Sequence, residues 1–276
     1  GLGVQCVLGG AATNYTLRAR NVDINLNNNT FHLHCHSAGN AQSSCANGWF
    51  TLTGTGKVAK NNIVVAALTG ADAMTSYSSF GPSNDGRVKP DISAVGDAVF
   101  STYTPLNSYN TISGTSMATP GIAGTVTLLA QRYKQLNGNT LPPSMLIKNI
   151  VLNTALDLGN AGPDYRFGYG RGDALKAVRI MEETRYVLNS IATAATNDIT
   201  VTVPAGAARL RVMLTWNDPA GAANASVPLV NNLDLRVVEG ANTYLPWILN
   251  PNSPTSAATQ ADDNISNVEQ VTVNNP

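Results

Sequence analysis

The chain has 276 residues, 43% of them apolar, enough to bury a substantial core in one large domain or two smaller ones. Only 12% are charged and 17 basic residues balance 17 acidic ones, so there is no Lys/Arg excess or stripe to release counterions from a nucleic acid. No stretch approaches the roughly 18 apolar residues of a membrane span, no charged and apolar leader opens the sequence, and the first methionine is Met74, which reads as a processed, trimmed or partial chain.

From Gly1 to about Arg185, apolar runs alternate with helical patterns, predicting an α/β sheet with crossover helices. Residues 15–28 read as an amphipathic helix, 31–35 as a short strand, and 63–68 (IVVAAL) as a parallel strand covered on both faces, because its apolar run is unbroken. Residues 69–88 are loop-rich, and 91–94 form a brief extended segment with Asp91 assigned to a turn. Residues 116–136 read as a long, mostly buried helix ended by Asn137 and Gly138. Further helices are expected over about 143–155 and 173–183, the second capped by Asp173. Beyond Arg185 the helical period disappears. DITVTVP, RLRVMLTW and LDLRVV alternate with Pro, Gly and Asn turns, predicting an antiparallel β-sandwich over 186–276 with too few strands to close two sheets. The three cysteines, Cys6, Cys35 and Cys45, leave two arrangements open. One is a single disulfide, preferably Cys6 with Cys45, and a buried thiol; the other is three unpaired thiols.

Chemistry concentrates at the start of the long helix, where the string SGTSMATP spans Ser113 to Pro120. A serine nucleophile works best at a helix N-terminus, where unpaired N–H groups and the positive end of the dipole face a developing oxyanion. Ser116 is placed for that role. Gly114 removes side-chain bulk beside it, and Pro120 is expected to be tolerated as a first-turn residue. A nucleophile elbow would need glycine two residues before and after the serine, but position 118 is alanine.

GTSMATP resembles the serine signature of the subtilisin-like serine proteases. Two further motifs extend the match: SSFGPSNDGRVKPD at 78–91 is similar to the connector of that family, and SAGN at 37–40 to its oxyanion-hole motif. The resemblance implies a subtilisin-like parallel sheet flanked by helices, present in part over 1–185. It implies that Ser116 attacks a peptide carbonyl in protein or peptide substrates, and that the Asn40 amide shares the oxyanion with the Ser116 backbone N–H. The triad order of the family is Asp, His, Ser, which places the Asp and His upstream of Gly1. His32, His34 and His36 stand directly before Asn40, not in a family-type His-Gly-Thr-His segment, so none is expected to be the base. Their alternate spacing would aim three rings to one face with Cys35 opposite, but no acidic residue lies close by to complete a metal site; a hydrogen-bonded, partly solvated stripe is expected instead. Asp72, Asp85 and Asp91 follow the oxyanion motif and fail the triad order.

The resemblance also implies a substrate groove with Leu8, Gly9 and Gly10 on one wall, Ala38 and Gly39 on the other, and Gly114 and Thr115 beside the nucleophile. GPDYRFGYGRGDALKA at 162–177 is similar to the end of the catalytic domain in a bacterial subgroup carrying a C-terminal β-sandwich, or jelly roll, which LTWNDP at 214–219 and LVNNLDLRV at 229–237 resemble. Two residues depart from the pattern: Asn232 stands where relatives have Asp, and Val95 where they have Pro. The chemistry requires no cofactor; structural calcium is compatible with the resemblance, although scattered acidic residues name no ligands. A secreted monomer is expected, with no nucleic-acid partner and no membrane span. A noncatalytic adhesion or binding protein that retains the scaffold is the alternative.

Overall fold

A computed structural model describes residues 13–45 and 47–276. Its centre is strand β2 (Ile63–Leu68), in which all six residues are buried. It pairs in parallel with β1 (Cys35–Ser37) on one side and β3 (Ile92–Val95) on the other. Both faces are covered, which is why the run is unbroken in apolar character. Ile63, Val65 and Ala67 lie under helix α2 (Thr115–Leu136) in a cluster with Ala118, Ile122 and Leu129. Val64 faces the other way, joining Tyr15, Ala19, Leu52 and Val58 beneath helix α1 (Leu17–Asn28). The expected sheet and helices are therefore present, with β1 beginning four residues later than the pattern suggests because its ladder starts at Cys35 opposite Ile63. Helices α3 (Ser144–Asn153) and α4 (Ala174–Glu182) follow, and the Asp173 carboxylate caps α4 by accepting from Lys176 N–H at 2.9 Å.

The pattern gave no sign of the hairpin formed by β4 (Val99–Tyr103) and β5 (Ser108–Ile112). Neither face packs on the core: Phe100, Tyr103 and Tyr109 are exposed, so no half-buried alternation exists to be read. The hairpin sits between β3 and α2.

Beyond residue 185 the described residues form three two-stranded antiparallel pairs. β6 (Arg209–Thr215) pairs with β11 (Val268–Asn274), β7 (Val237–Glu239) with β8 (Asn242–Tyr244), and β9 (Trp247–Ile248) with β10 (Thr259–Gln260). Two facing sheets are not formed among them. DITVTVP, which alternates like a strand, is irregular, and its Ile199 and Val201 are exposed with nothing to cover them. The β6–β11 pair packs on α3 and lends Met213 and Val268 to the same core as β2 and α2. Asn149 Nδ2 donates to Met213 O at 2.8 Å, and Thr215 Oγ1 to Met145 O at 3.0 Å.

A buried polar joint ties this β-rich part to the amino ends of the parallel strands. Lys60, three residues before β2, donates its ammonium to Asp218 Oδ2 (2.5 Å), Pro219 O (2.6 Å) and Pro228 O (2.7 Å). Asp218 also accepts from the N–H groups of Val230 and Asn231, and Asn61 exchanges hydrogen bonds with the Asp218 backbone. Asp23 of α1 accepts from Lys60 N–H and Asn61 N–H. Before β3, Asp91 is no turn residue. Its buried carboxylate accepts from Val64 N–H and from Lys89 Nζ at 2.6 Å, while Lys148 Nζ reaches Lys60 O at 2.7 Å. Each buried charge is thus met by opposite charge or by fixed dipoles, the condition under which such a cluster is tolerated.

Candidate active site

In an open parallel sheet, functional sites form beyond the carboxyl ends of the strands. Two of those ends here deliver the chain to one place: β1 runs into Ala38, Gly39 and Asn40, and β3 into Gly96 and Asp97. The turn leading into α2 sits against both. Gly114 N–H donates to Gly96 O at 2.8 Å, and Ser113 Oγ donates to Asp97 Oδ1 at 2.8 Å while accepting from Ala98 N–H. Gly96 permits this approach, since a Cβ there would fall 2.6 Å from Gly114 O and 2.9 Å from the Cβ atoms of Ala67 and Ala118.

Ser116 is the second residue of α2 and is exposed at its mouth. Asn40 stands beside it through Thr115. Thr115 N–H and Thr115 Oγ1 both donate to Asn40 Oδ1, at 3.0 and 2.9 Å, and Thr115 Oγ1 accepts from Gly39 N–H at 3.1 Å. The two donations occupy the amide oxygen and leave Asn40 Nδ2 without an acceptor among the described residues, 3.3 Å from where a Cβ on Gly114 would lie. The amide is therefore oriented before any ligand arrives. Sequence reasoning gave Thr115 a place in the groove but missed this anchoring role, because the bond joins residues 75 apart in the chain.

Pro120 is not in the first turn. It is the sixth residue of α2, where its missing N–H leaves the Ser116 carbonyl without its i+4 donor. Ala38 is fully buried; Gly39 has φ +117°, and the space a Cβ would need is taken by Thr53 Oγ1. Leu8, Gly9, Gly10 and Cys6 lie outside the described residues. Cys45 is disulfide-bonded and Cys35 is a free thiol.

The three histidines pack edge to face in succession, with ring centroids 4.7 Å apart for His32 and His34 and 5.6 Å for His34 and His36. Two ring nitrogens depart from the expected hydrogen-bonded stripe: among the described residues, His34 Nδ1 and His36 Nε2 are buried without partners. Burial holds both rings neutral, lowering His36 to about 4. No hydrogen bond joins any of them to the Ser116 hydroxyl among the described residues. Asp72 is engaged by Arg171 at 2.7 Å and Asp85 by Arg87 at 2.7 Å. Among the described residues no group of three or more His, Cys, Asp or Glu side chains is gathered where it could hold a metal ion, so no calcium ligands are assigned.

A sequence model described as the Subtilase family matches residues 9–170. The chain belongs to the subtilase family. Among curated proteins, this subtilase is 40% identical over 95 residues to the PII-type proteinase of Lactococcus lactis subsp. cremoris, covering 30% of this chain and 5% of that protein. It is 37% identical over 116 residues to halolysin of Haloferax mediterranei (42% and 20%), and 33% identical over 110 residues to subtilisin DY of Bacillus licheniformis (40% and 34%). The chain thus spans between 5% and 34% of the length of these relatives. Among solved structures, a lanthipeptide protease superposes with a TM-score of 0.50 at 22% identity, over 59% of this chain and 54% of the other, a likeness of fold. No helix is long and apolar enough to cross a membrane among the described residues.

Proposed function

We propose that this subtilase segment carries the nucleophile and oxyanion hole of a serine endopeptidase acting on proteins and peptides, and that the triad Asp and His come from parts of the protein outside this sequence. The single observation that carries the reading is the anchored amide: Asn40 is held by Thr115 with its N–H end free at the mouth of α2, next to Ser116. A neutral donor fixed in advance suits an oxyanion, because it needs no reorganisation when charge develops.

In this mechanism Ser116 Oγ attacks the scissile carbonyl carbon while its proton passes to the histidine. The tetrahedral oxyanion is met by Asn40 Nδ2 and Ser116 N–H. Collapse expels the amine, which takes the proton, and leaves an ester on Ser116 that water hydrolyses by the same route in reverse. The substrate lies along the Ala38–Gly39 segment, with Gly114 and Thr115 beside the attacked carbonyl. We place the protein outside the cell, a setting in which the Cys45 disulfide persists. In the same reading the β-rich region is part of a sandwich whose further strands belong to the longer protein.

The test is labelling of the full-length protein with a fluorophosphonate. Covalent modification of the wild type at Ser116, lost in Ser116→Ala together with peptide hydrolysis, is expected; equal labelling of both forms overturns the assignment.

A further inference from the structure

Four lysines of this chain are drawn into the protein, and three of them stand within ion-pair reach of a carboxylate. Lys60 meets Asp218 and two carbonyls, Lys89 meets Asp91 and Asn62 Oδ1, and Lys148 meets Lys60 O beside Asp91. All three belong to the joint at the amino ends of the strands. Lys57 differs. It lies on the turn 55–58 between β1 and β2, and its Nζ has one acceptor among the described residues, the neutral Thr53 Oγ1 at 3.1 Å.

That hydroxyl is the group that fills the Cβ space of Gly39, and Thr53 N–H donates to Ala38 O at 3.1 Å. Thr53 thus backs the Ala38–Gly39 segment, and Lys57 Nζ stands one hydroxyl away from Gly39. A half-buried ammonium without a carboxylate is an incomplete pair, since desolvation penalises the charge and nothing opposite offsets it. Burial alone lowers Lys57 to about 8. A carboxylate brought in by a substrate would complete the pair.

We propose that Lys57 determines cleavage preference, its ammonium receiving the acidic side chain of the substrate residue that precedes the scissile bond. The inference rests on the reading of Ser116 as nucleophile and Ala38–Gly39 as groove wall, and it deepens that reading by naming the substrate class. Lys57 carries out no step of the reaction; it selects among substrates through charge. An acid at that position gains a charge-assisted hydrogen bond that its amide isostere does not.

The experiment uses the full-length protein and two fluorogenic peptides that differ only in Glu or Gln before the cleaved bond. The wild type is expected to favour Glu by about 10- to 100-fold in kcat/KM, the ratio falling towards one in Lys57→Met and below one in Lys57→Glu. A wild-type ratio at or below one overturns the proposal without recourse to any variant, and so does an unchanged ratio in a folded Lys57→Met protein. Failure of the underlying reading shows separately, as hydrolysis or fluorophosphonate labelling that persists in Ser116→Ala.

Discussion

The two polar networks at opposite ends of the parallel strands are built on different principles. At the amino ends, Lys60, Lys89 and Lys148 meet Asp91 and Asp218 in near-complete burial, and each ammonium donates to at least one acceptor. At the carboxyl ends, Asn40, Thr115 and Ser116 are neutral, two of them exposed, and the amide nitrogen of Asn40 is left unspent. Saturated charge makes a joint that assembles parts distant in sequence. Neutral groups with one free donor make a surface that can respond to charge appearing on a ligand. Abundant ionic contact thus marks where this protein is held together, whereas the site proposed for Ser116 is built from neutral groups instead.

Four substitutions probe that contrast, from the strongest effect to the weakest. Lys60→Met leaves Asp218 buried without its cation and is expected to cost about 3–5 kcal/mol of folding stability, read from urea midpoints; adding Asp218→Leu should recover part of it, and a loss below about 1 kcal/mol would contradict the joint. Asn40→Leu takes the acceptor from Thr115 N–H and Oγ1 and should cost about 1–3 kcal/mol of stability, while raising the activation barrier by about 2.7–4 kcal/mol, the magnitude known for subtilisin itself, seen as a fall in kcat with little change in KM.

His36 gives an acid-side test. Between pH of about 4 and 6.5 the unfolded chain protonates this ring and the folded protein does not, so folded stability falls as pH drops through that window. Burial is the main cause, with His34, Lys89 and Lys57 acting in the same direction and Asp91 against them. His36→Leu should flatten the acid limb by on the order of 2 kcal/mol once partial exposure is allowed for, measured as chemical-denaturation midpoints at pH 4 and 7. Thr115→Val, the mildest, removes the hydroxyl between Gly39 N–H and Asn40 Oδ1 and should slow turnover about tenfold; no change would show that the Thr115 N–H alone aims the amide.

The parts readable from sequence were those whose cause is local. IVVAAL is continuous because both faces of β2 are buried, and the long helix follows from its own composition and from Asn137 and Gly138 at its end. Asn40 and Ser116 stand out through contiguous motifs, and the structure brings Asn40 against Thr115, the neighbour of Ser116. The hairpin at 99–112 escaped because neither face meets the core, and DITVTVP was overcalled because alternation alone supplies no partner strand. Asp91 was misplaced in a turn for a different reason. Its partners come from Val64, Lys89 and Lys148, and the Lys60–Asp218 contact spans 158 residues, a separation that no window of sequence exposes.

The clasp at the base of the hairpin has a practical meaning. Gly114 N–H on Gly96 O and Ser113 Oγ on Asp97 tie the two ends of the 99–112 excursion together just before Ser116, and most of the hairpin beyond the clasp is exposed. Length there becomes a dispensable variable: residues spliced into or trimmed from the Pro105–Asn107 tip would change the hairpin's outer end and leave the clasp and the start of α2 where they are.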